Sequence, residues 1–157
     1  METRIITRED AAEICSWKYE GEYSVYNYSS FEVCQERGWD IADDDKRSRS
    51  YVAVYDNGKL YGFFNIMEGK DCVELGVGTK PEMCGKHRGM EFMSLAVKTV
   101  KERHPGKKII LKVRPFNKRA IKCYESCGFT ITGQYYEDTF LVPGEMLIMQ
   151  RCNHGKT

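Results

Sequence analysis

No stretch of this chain approaches the roughly 18 consecutive apolar residues that a membrane-spanning helix needs. The amino terminus, Met1-Glu2-Thr3-Arg4, is polar and leads into no apolar signal core. A cytoplasmic setting without a membrane partner is therefore expected. The chain also lacks an excess of either charge: 24 Lys and Arg stand against 23 Asp and Glu, a net charge of +1. A dedicated nucleic-acid surface usually shows a strong basic excess, so no nucleic-acid partner is expected. Seven cysteines are present, at 15, 34, 72, 84, 123, 127 and 152, but no Cys-x-x-Cys. Zinc and thioredoxin-like readings thus lack their basic signature, and no metal is expected. An odd, irregularly spaced set suits reduced thiols in a reducing compartment. Cys123 and Cys127 read as two small side chains on one helical face. No internal repeat, low-complexity segment or linker is visible.

What remains is globular. The length of 157 residues suits one domain, taken as 1–157. A chain of this size buries roughly two-thirds of its unfolded surface, so it needs neither disulfides nor metal to fold. Apolar residues make up 41% and charged residues 30%, which separates it from disordered chains. The local pattern predicts a short strand over 4–7, then a helix from Thr7 to about Lys18 with Thr7 as N-cap and Asp10 three positions later. A tyrosine-rich stretch follows (Tyr19, Tyr23, Tyr26, Tyr28). A short helix is expected over 31–37, ended by Gly38. Residues 43–47, Asp-Asp-Asp-Lys-Arg, read as an exposed loop. Residues 51–55 and 59–67 read as strands joined by Asp56-Asn57-Gly58, a strong hairpin signal. A strand follows over 72–79, then a loop over 80–86. The next helix runs to about Arg103, with Met90, Met93, Val97 and Val100 on one apolar face. Strands are expected over 108–113, 129–136 and 145–151, with a helix between Asn117 and Gly128.

Chemistry concentrates in two places. Gly76 and Gly78 interrupt a strand, as at a bulge or a close backbone approach. Beyond it, Gly85-Lys86-His87-Arg88-Gly89 leads into a helix. Unpaired N–H groups and the helix dipole make such a turn an anion site, and Lys86 and Arg88 add charge. Many helices begin this way on a solvated turn, so the motif alone is weak. A nucleotide-binding P-loop would need a Gly-Lys-[Ser/Thr] ending that is absent.

The second place is Asn117-Lys118-Arg119-Ala120-Ile121-Lys122-Cys123-Tyr124-Glu125-Ser126-Cys127-Gly128-Phe129. Position by position it resembles the second signature of the GNAT superfamily of N-acetyltransferases: Asn, Ala three later, Tyr seven later, then Gly-Phe. The preceding strand, Pro81 and glycine turn resemble the same superfamily's first signature. There Cys84 replaces the usual Arg or Gln and His87 replaces the middle Gly, while Gly89 matches. Cys84-Gly85-Lys86 resembles a bacterial variant of that loop. The resemblance covers residues 50 to 136.

It implies an α/β fold with a mixed sheet of about six to seven strands and about four helices. It also implies acetyl-CoA as cofactor. The pyrophosphate would lie on backbone amides of Gly85, Lys86, His87, Arg88, Gly89 and Met90. The pantetheine arm would run beside Val77, Gly78 and Thr79 as an added strand, with that strand splayed from the 108–113 strand. Asn117 and Ala120 would complete the cofactor set. Tyr124 matches the superfamily's general acid, and a phenol's ordinary pKa suits protonation of a thiolate. Glu74, on the strand face of Gly76 and Gly78, is the candidate base. Lys112 stands where some relatives carry a basic Glu. The tyrosines at 19–28 could wall an amine site or simply pack. His104 and His154 are expected in solvent.

The expected partner is a small-molecule or peptide amine, and a homodimer is compatible with the sequence. The rival reading is a non-catalytic acyl-CoA-binding or regulatory domain of the same fold.

Overall fold

The computed structural model of the protein describes residues 1–138 and 142–152. In chain order the elements are β1 (Glu2–Ile5), α1 (Arg8–Ser16), α2 (Phe31–Glu36), α3 (Asp44–Ser50), β2 (Tyr51–Asp56), β3 (Lys59–Glu68), β4 (Cys72–Thr79), α4 (Gly89–Arg103), β5 (Lys108–Val113), α5 (Lys118–Ser126), β6 (Thr130–Glu137) and β7 (Gly144–Arg151). Three 310 turns, Gly21–Tyr26, Asp40–Ala42 and Pro81–Met83, lie between them. The strands form one seven-stranded mixed sheet in the order β1-β2-β3-β4-β5-β7-β6. Two compact units are distinguishable: 1–65 with 77–84, and 66–76 with 85–157.

In the first unit, α1 begins with the predicted capping box. Thr7 Oγ1 accepts from the Asp10 N–H at 3.0 Å, and an Asp10 carboxylate oxygen accepts from the Thr7 N–H at 3.0 Å. Two otherwise orphaned donors are satisfied reciprocally. The other Asp10 oxygen accepts from the Tyr55 hydroxyl, which ties the helix start to β2. The β2–β3 hairpin turns at Asn57 (φ 52°) and Gly58 (φ 76°), the two left-handed positions of a type I′ turn. Ala11, Ile14, Cys15, Cys34, Ile41, Ala53 and Phe63 form the centre of this unit's core.

Residues 43–47 correct the expected loop. Asp43 caps α3 by accepting from the Lys46 N–H at 2.9 Å, and helix follows directly. The acidic run that looked like a solvated turn suits the positive end of a helix. Arg47 is only 5% exposed; it donates to the Ile41 carbonyl at 3.0 Å and pairs with Asp44 at 2.6 Å. A fifth α-helix therefore joins the expected four.

In the second unit, β4 and β5 pair in parallel through Cys72↔Lys108, Val73↔Ile109 and Glu74↔Ile110. β5 pairs with β7, and β7 with β6, both antiparallel, with a bulge at Ile131/Gly133. The buried face of α4 is Phe92, Met93, Ala96, Val97, Thr99 and Val100. Met90, expected on that face, is instead 48% exposed and lies against Cys127, the C-cap of α5. His104, expected in solvent, places Nδ1 3.3 Å from a Glu68 oxygen that also takes Lys107 at 2.7 Å. His154 lies outside the described residues.

Arg47→Ala leaves the Ile41 carbonyl without its donor and opens the helix flank. It should lower the unfolding free energy by about 1–3 kcal/mol. Asp45→Ala, on the solvent side of the same helix, should cost less than about 0.5 kcal/mol. Urea denaturation of both variants tests whether this segment is a packed helix: equal, small losses would restore the loop.

Candidate active site

The two units carry the predicted residues separately. Val77, Gly78 and Thr79 belong to the first; Glu74, Gly85 to Met90, Asn117, Ala120 and Tyr124 belong to the second.

In the second unit the turn before α4 has two residues in the left-handed region, Gly85 (φ 76°) and His87 (φ 60°). The His87 backbone thus adopts the conformation that the usual glycine would take, and its side chain is exposed. Arg88 is the N-cap of α4 but makes no side-chain cap hydrogen bond. Its guanidinium instead donates to Glu91 at 2.8 and 3.1 Å. The charge expected from Arg88 is therefore already paired. The helix start lies close against α5. A Cβ on Gly89 would meet Cys123 Sγ at 3.0 Å, and one on Gly85 would meet an Arg119 guanidinium nitrogen at 3.0 Å. Arg119, missed in the sequence, brings a cation to this turn. Its only sequence signal is a place two residues into a helix whose cap, Asn117, was recognised.

Asn117 caps α5: its side-chain oxygen accepts from the Ala120 N–H at 3.3 Å. The matching Asn and Ala of the signature are thus joined to each other. Tyr124 is half-buried, with its ring 6.3 Å from that of Phe129. The signature's Tyr and Phe form one aromatic pair at the end of α5.

Glu74 points its carboxylate at Lys112 Nζ, 3.1 Å away. Lys112 also lies 5.5 Å from the centre of the Tyr135 ring, whose hydroxyl donates to Glu137 at 2.9 Å. Partial burial pulls the Lys112 pKa down, but the Glu74 hydrogen bond and charge outweigh it, so the net shift is upward. Lys112 is thus held as a cation, ion-paired with Glu74.

In the first unit, β4 ends in a polar knot. The Tyr19 hydroxyl donates to the Thr79 carbonyl at 2.6 Å, and Thr79 Oγ1 lies 3.3 Å from Cys84 Sγ. Cys84, which departs from the usual Arg or Gln, closes this turn. Burial pushes the Tyr19 phenol far above its ordinary value. Gly78 has a packing reason: a Cβ there would stand 2.4 Å from Phe63. Phe63 lies within 5.8–6.4 Å of the Trp17, Tyr28 and Tyr51 rings. Of the tyrosines at 19–28, Tyr19 and Tyr28 are thus structural, the latter bonded to the Tyr51 hydroxyl at 2.8 Å. On the same β3 face as Phe63, the buried Asn65 side-chain oxygen has no hydrogen-bond partner.

A sequence profile described as the acetyltransferase (GNAT) family matches residues 9–129. No curated protein matches in sequence. Among solved structures, a chimeric spermidine N-acetyltransferase from Vibrio cholerae aligns with 97% of this chain and 95% of its own, at 23% identity and a TM-score of 0.78. A ribosomal-protein-S18-alanine N-acetyltransferase from Escherichia coli aligns with 99% and 97%, at 19% identity and a TM-score of 0.68. A ribosomal-protein-alanine N-acetyltransferase from Brucella melitensis aligns with 97% and 99%, at 16% identity and a TM-score of 0.72. At these identities the likeness is one of fold.

Two substitutions test the local accounts. His87→Val places a β-branched residue at positive φ and should cost about 1–2 kcal/mol, whereas His87→Gly should not destabilise. Gly78→Ala should cost about 1–3 kcal/mol through overpacking against Phe63. Thermal melts read both; a neutral Gly78→Ala would mean that Phe63 moves aside freely.

Proposed function

Since the chain belongs to the acetyltransferase (GNAT) family and is therefore an acyltransferase, we propose that it transfers an acetyl group from acetyl-CoA to a primary amine of a small molecule or peptide. The whole of 1–157 acts as the one catalytic domain in this reading. The observation that carries it is the α4–α5 contact: a glycine turn without a side-chain cap, set against the helix bearing the intact Asn117–Ala120–Tyr124 pattern. The donor set suits a pyrophosphate. Backbone N–H groups of the first turn carry the positive end of the helix dipole, and Lys86 and Arg119 add mobile cations. The unusual His87 fits as well, because its backbone keeps the glycine conformation.

The residues Gly85 to Met90, with Asn117 and Ala120, would hold acetyl-CoA, and Val77, Gly78 and Thr79 would flank its arm. The group supplies an acetyl thioester, activated towards an amine. Tyr124 would hold a proton on its phenol oxygen and would be the chain's donor to the departing sulfur. The Val77 N–H is the donor we assign to the carbonyl oxygen as negative charge builds there. The amine must arrive neutral. Glu74, ion-paired with Lys112, would take that proton through water or orient the amine. A cytoplasmic setting accords with seven cysteines free of disulfides.

Calorimetric titration with acetyl-CoA should show saturable binding that Gly89→Trp abolishes. With an amine identified by thiol release, Tyr124→Phe should lower kcat by about 10²–10⁴-fold with little change in KM for acetyl-CoA. Binding without turnover on any amine, together with indifference to Tyr124→Phe, would establish the non-catalytic acyl-CoA-binding reading instead.

A further inference from the structure

The second unit carries a concentration of positive charge that the roles above leave unused. An open groove of about 450 Å³ lies between α4, the end of α5 and the end of β7. Lys98 and Lys101 of α4 and Arg151 of β7 line it, against one carboxylate, Glu102. The whole chain has a net charge of +1, so an excess of two cations in one groove is a local feature and not an average one. Neither lysine makes an ion pair or a side-chain hydrogen bond among the described residues. Arg151 is anchored: its Nε donates to the Cys127 carbonyl at 3.0 Å, which fixes the guanidinium at the groove.

The helix dipole explains a cation in the last turn of α4, and that covers Lys101. It does not cover Lys98, three residues earlier, or Arg151, brought from another element. The groove also presents apolar and sulfur surface, from the buried Val97, from Cys127 and from the half-exposed Met90.

The geometry points to a binding site for a small organic phosphate, a phosphate monoester on an apolar or aromatic body. A monoester carries a charge of about −1.5 to −2 at neutral pH, which matches the excess in the groove. The two ammonium groups act as mobile point charges, and the guanidinium supplies a fixed planar set of donors. The body of the ligand lies on Val97 and Met90, whose flexible thioether adapts to a flat ring. The recess falls within the roughly 300–1,000 Å³ of small-molecule sites, which favours a free metabolite over a protein segment. Lys98 and Lys101 stand about 14 and 18 Å along the axis of α4 from Gly89, so they do not serve the glycine turn. The site rests on this groove and its charge, not on acetyl transfer.

The test is an NMR titration of the isotope-labelled full chain with phenyl phosphate. One saturable site is expected, with amide shifts centred on Ser94, Lys98, Lys101 and Arg151. Inorganic phosphate should move the same amides more weakly. Benzyl alcohol, which has the ring without the charge, should not bind. Lys98→Gln and Lys101→Gln keep the stem and remove the charge, and each should weaken binding about tenfold, as for the loss of a hydrogen bond to a charged group. Lys59→Gln, exposed in the first unit, should leave binding unaltered. The amide spectra show that each variant is folded. An excess of acetyl-CoA should leave the phenyl phosphate shifts in place. No saturable shift, equal binding by a Lys98→Glu Lys101→Glu double variant, or displacement by acetyl-CoA overturns the separate site. Tighter binding of an acidic peptide than of phenyl phosphate overturns the small-ligand assignment.

Discussion

The parallel ladder between β4 and β5 lasts three register pairs and ends at Glu74↔Ile110, although β4 continues to Thr79 and β5 to Val113. A strand that stops pairing must satisfy its backbone in other ways or leave it for a ligand. In the first unit part of that requirement is met by one side chain and one backbone contact. The Thr79 carbonyl takes the Tyr19 hydroxyl, and the Lys80 N–H reaches the Tyr61 carbonyl at 2.8 Å. The aromatic cluster around Phe63 then depends on Gly78, because no larger residue leaves the ring its place. The tyrosine-rich segment is thus the support that lets β4 end where it does.

The α4–α5 contact works under a similar constraint. Gly85 is held at positive φ, and a Cβ on Gly89 would stand 3.0 Å from Cys123 Sγ, so the start of α4 packs tightly on α5. His87 shows that the turn's shape is more tightly held than its composition. Backbone and packing around it enforce φ 60° on a residue that pays for that conformation. The residue is exposed to solvent.

Local features were legible in the sequence. The Thr7–Asp10 box, the Asn57-Gly58 turn, the span of β4 and the cap at Asn117 each rest on side chains a few residues apart, where spacing alone carries the physics. The pattern of Asn117 to Phe129 also pointed to the right family. What was missed depends on distant partners. Residues 43–47 look solvated until Arg47 is seen buried against the Ile41 carbonyl. Met90 fits the apolar period of α4, yet it faces α5 instead. The Glu74–Lys112 pair needs the parallel register of β4 with β5, which no periodicity encodes.

That pair also fixes the charge of Lys112. The Glu74 hydrogen bond and negative charge hold Lys112 as a cation against the cost of its partial burial. The polar chain continues from Lys112 to Tyr135 and Glu137 along the sheet. Such a chain fixes side-chain orientations along the sheet. In the reaction proposed above, a cation at Lys112 would disfavour a second cation beside it, so an amine arriving there would be favoured in its neutral form. Selecting the neutral form would do part of the work of a base, and would leave the acid role proposed for Tyr124 as it stands.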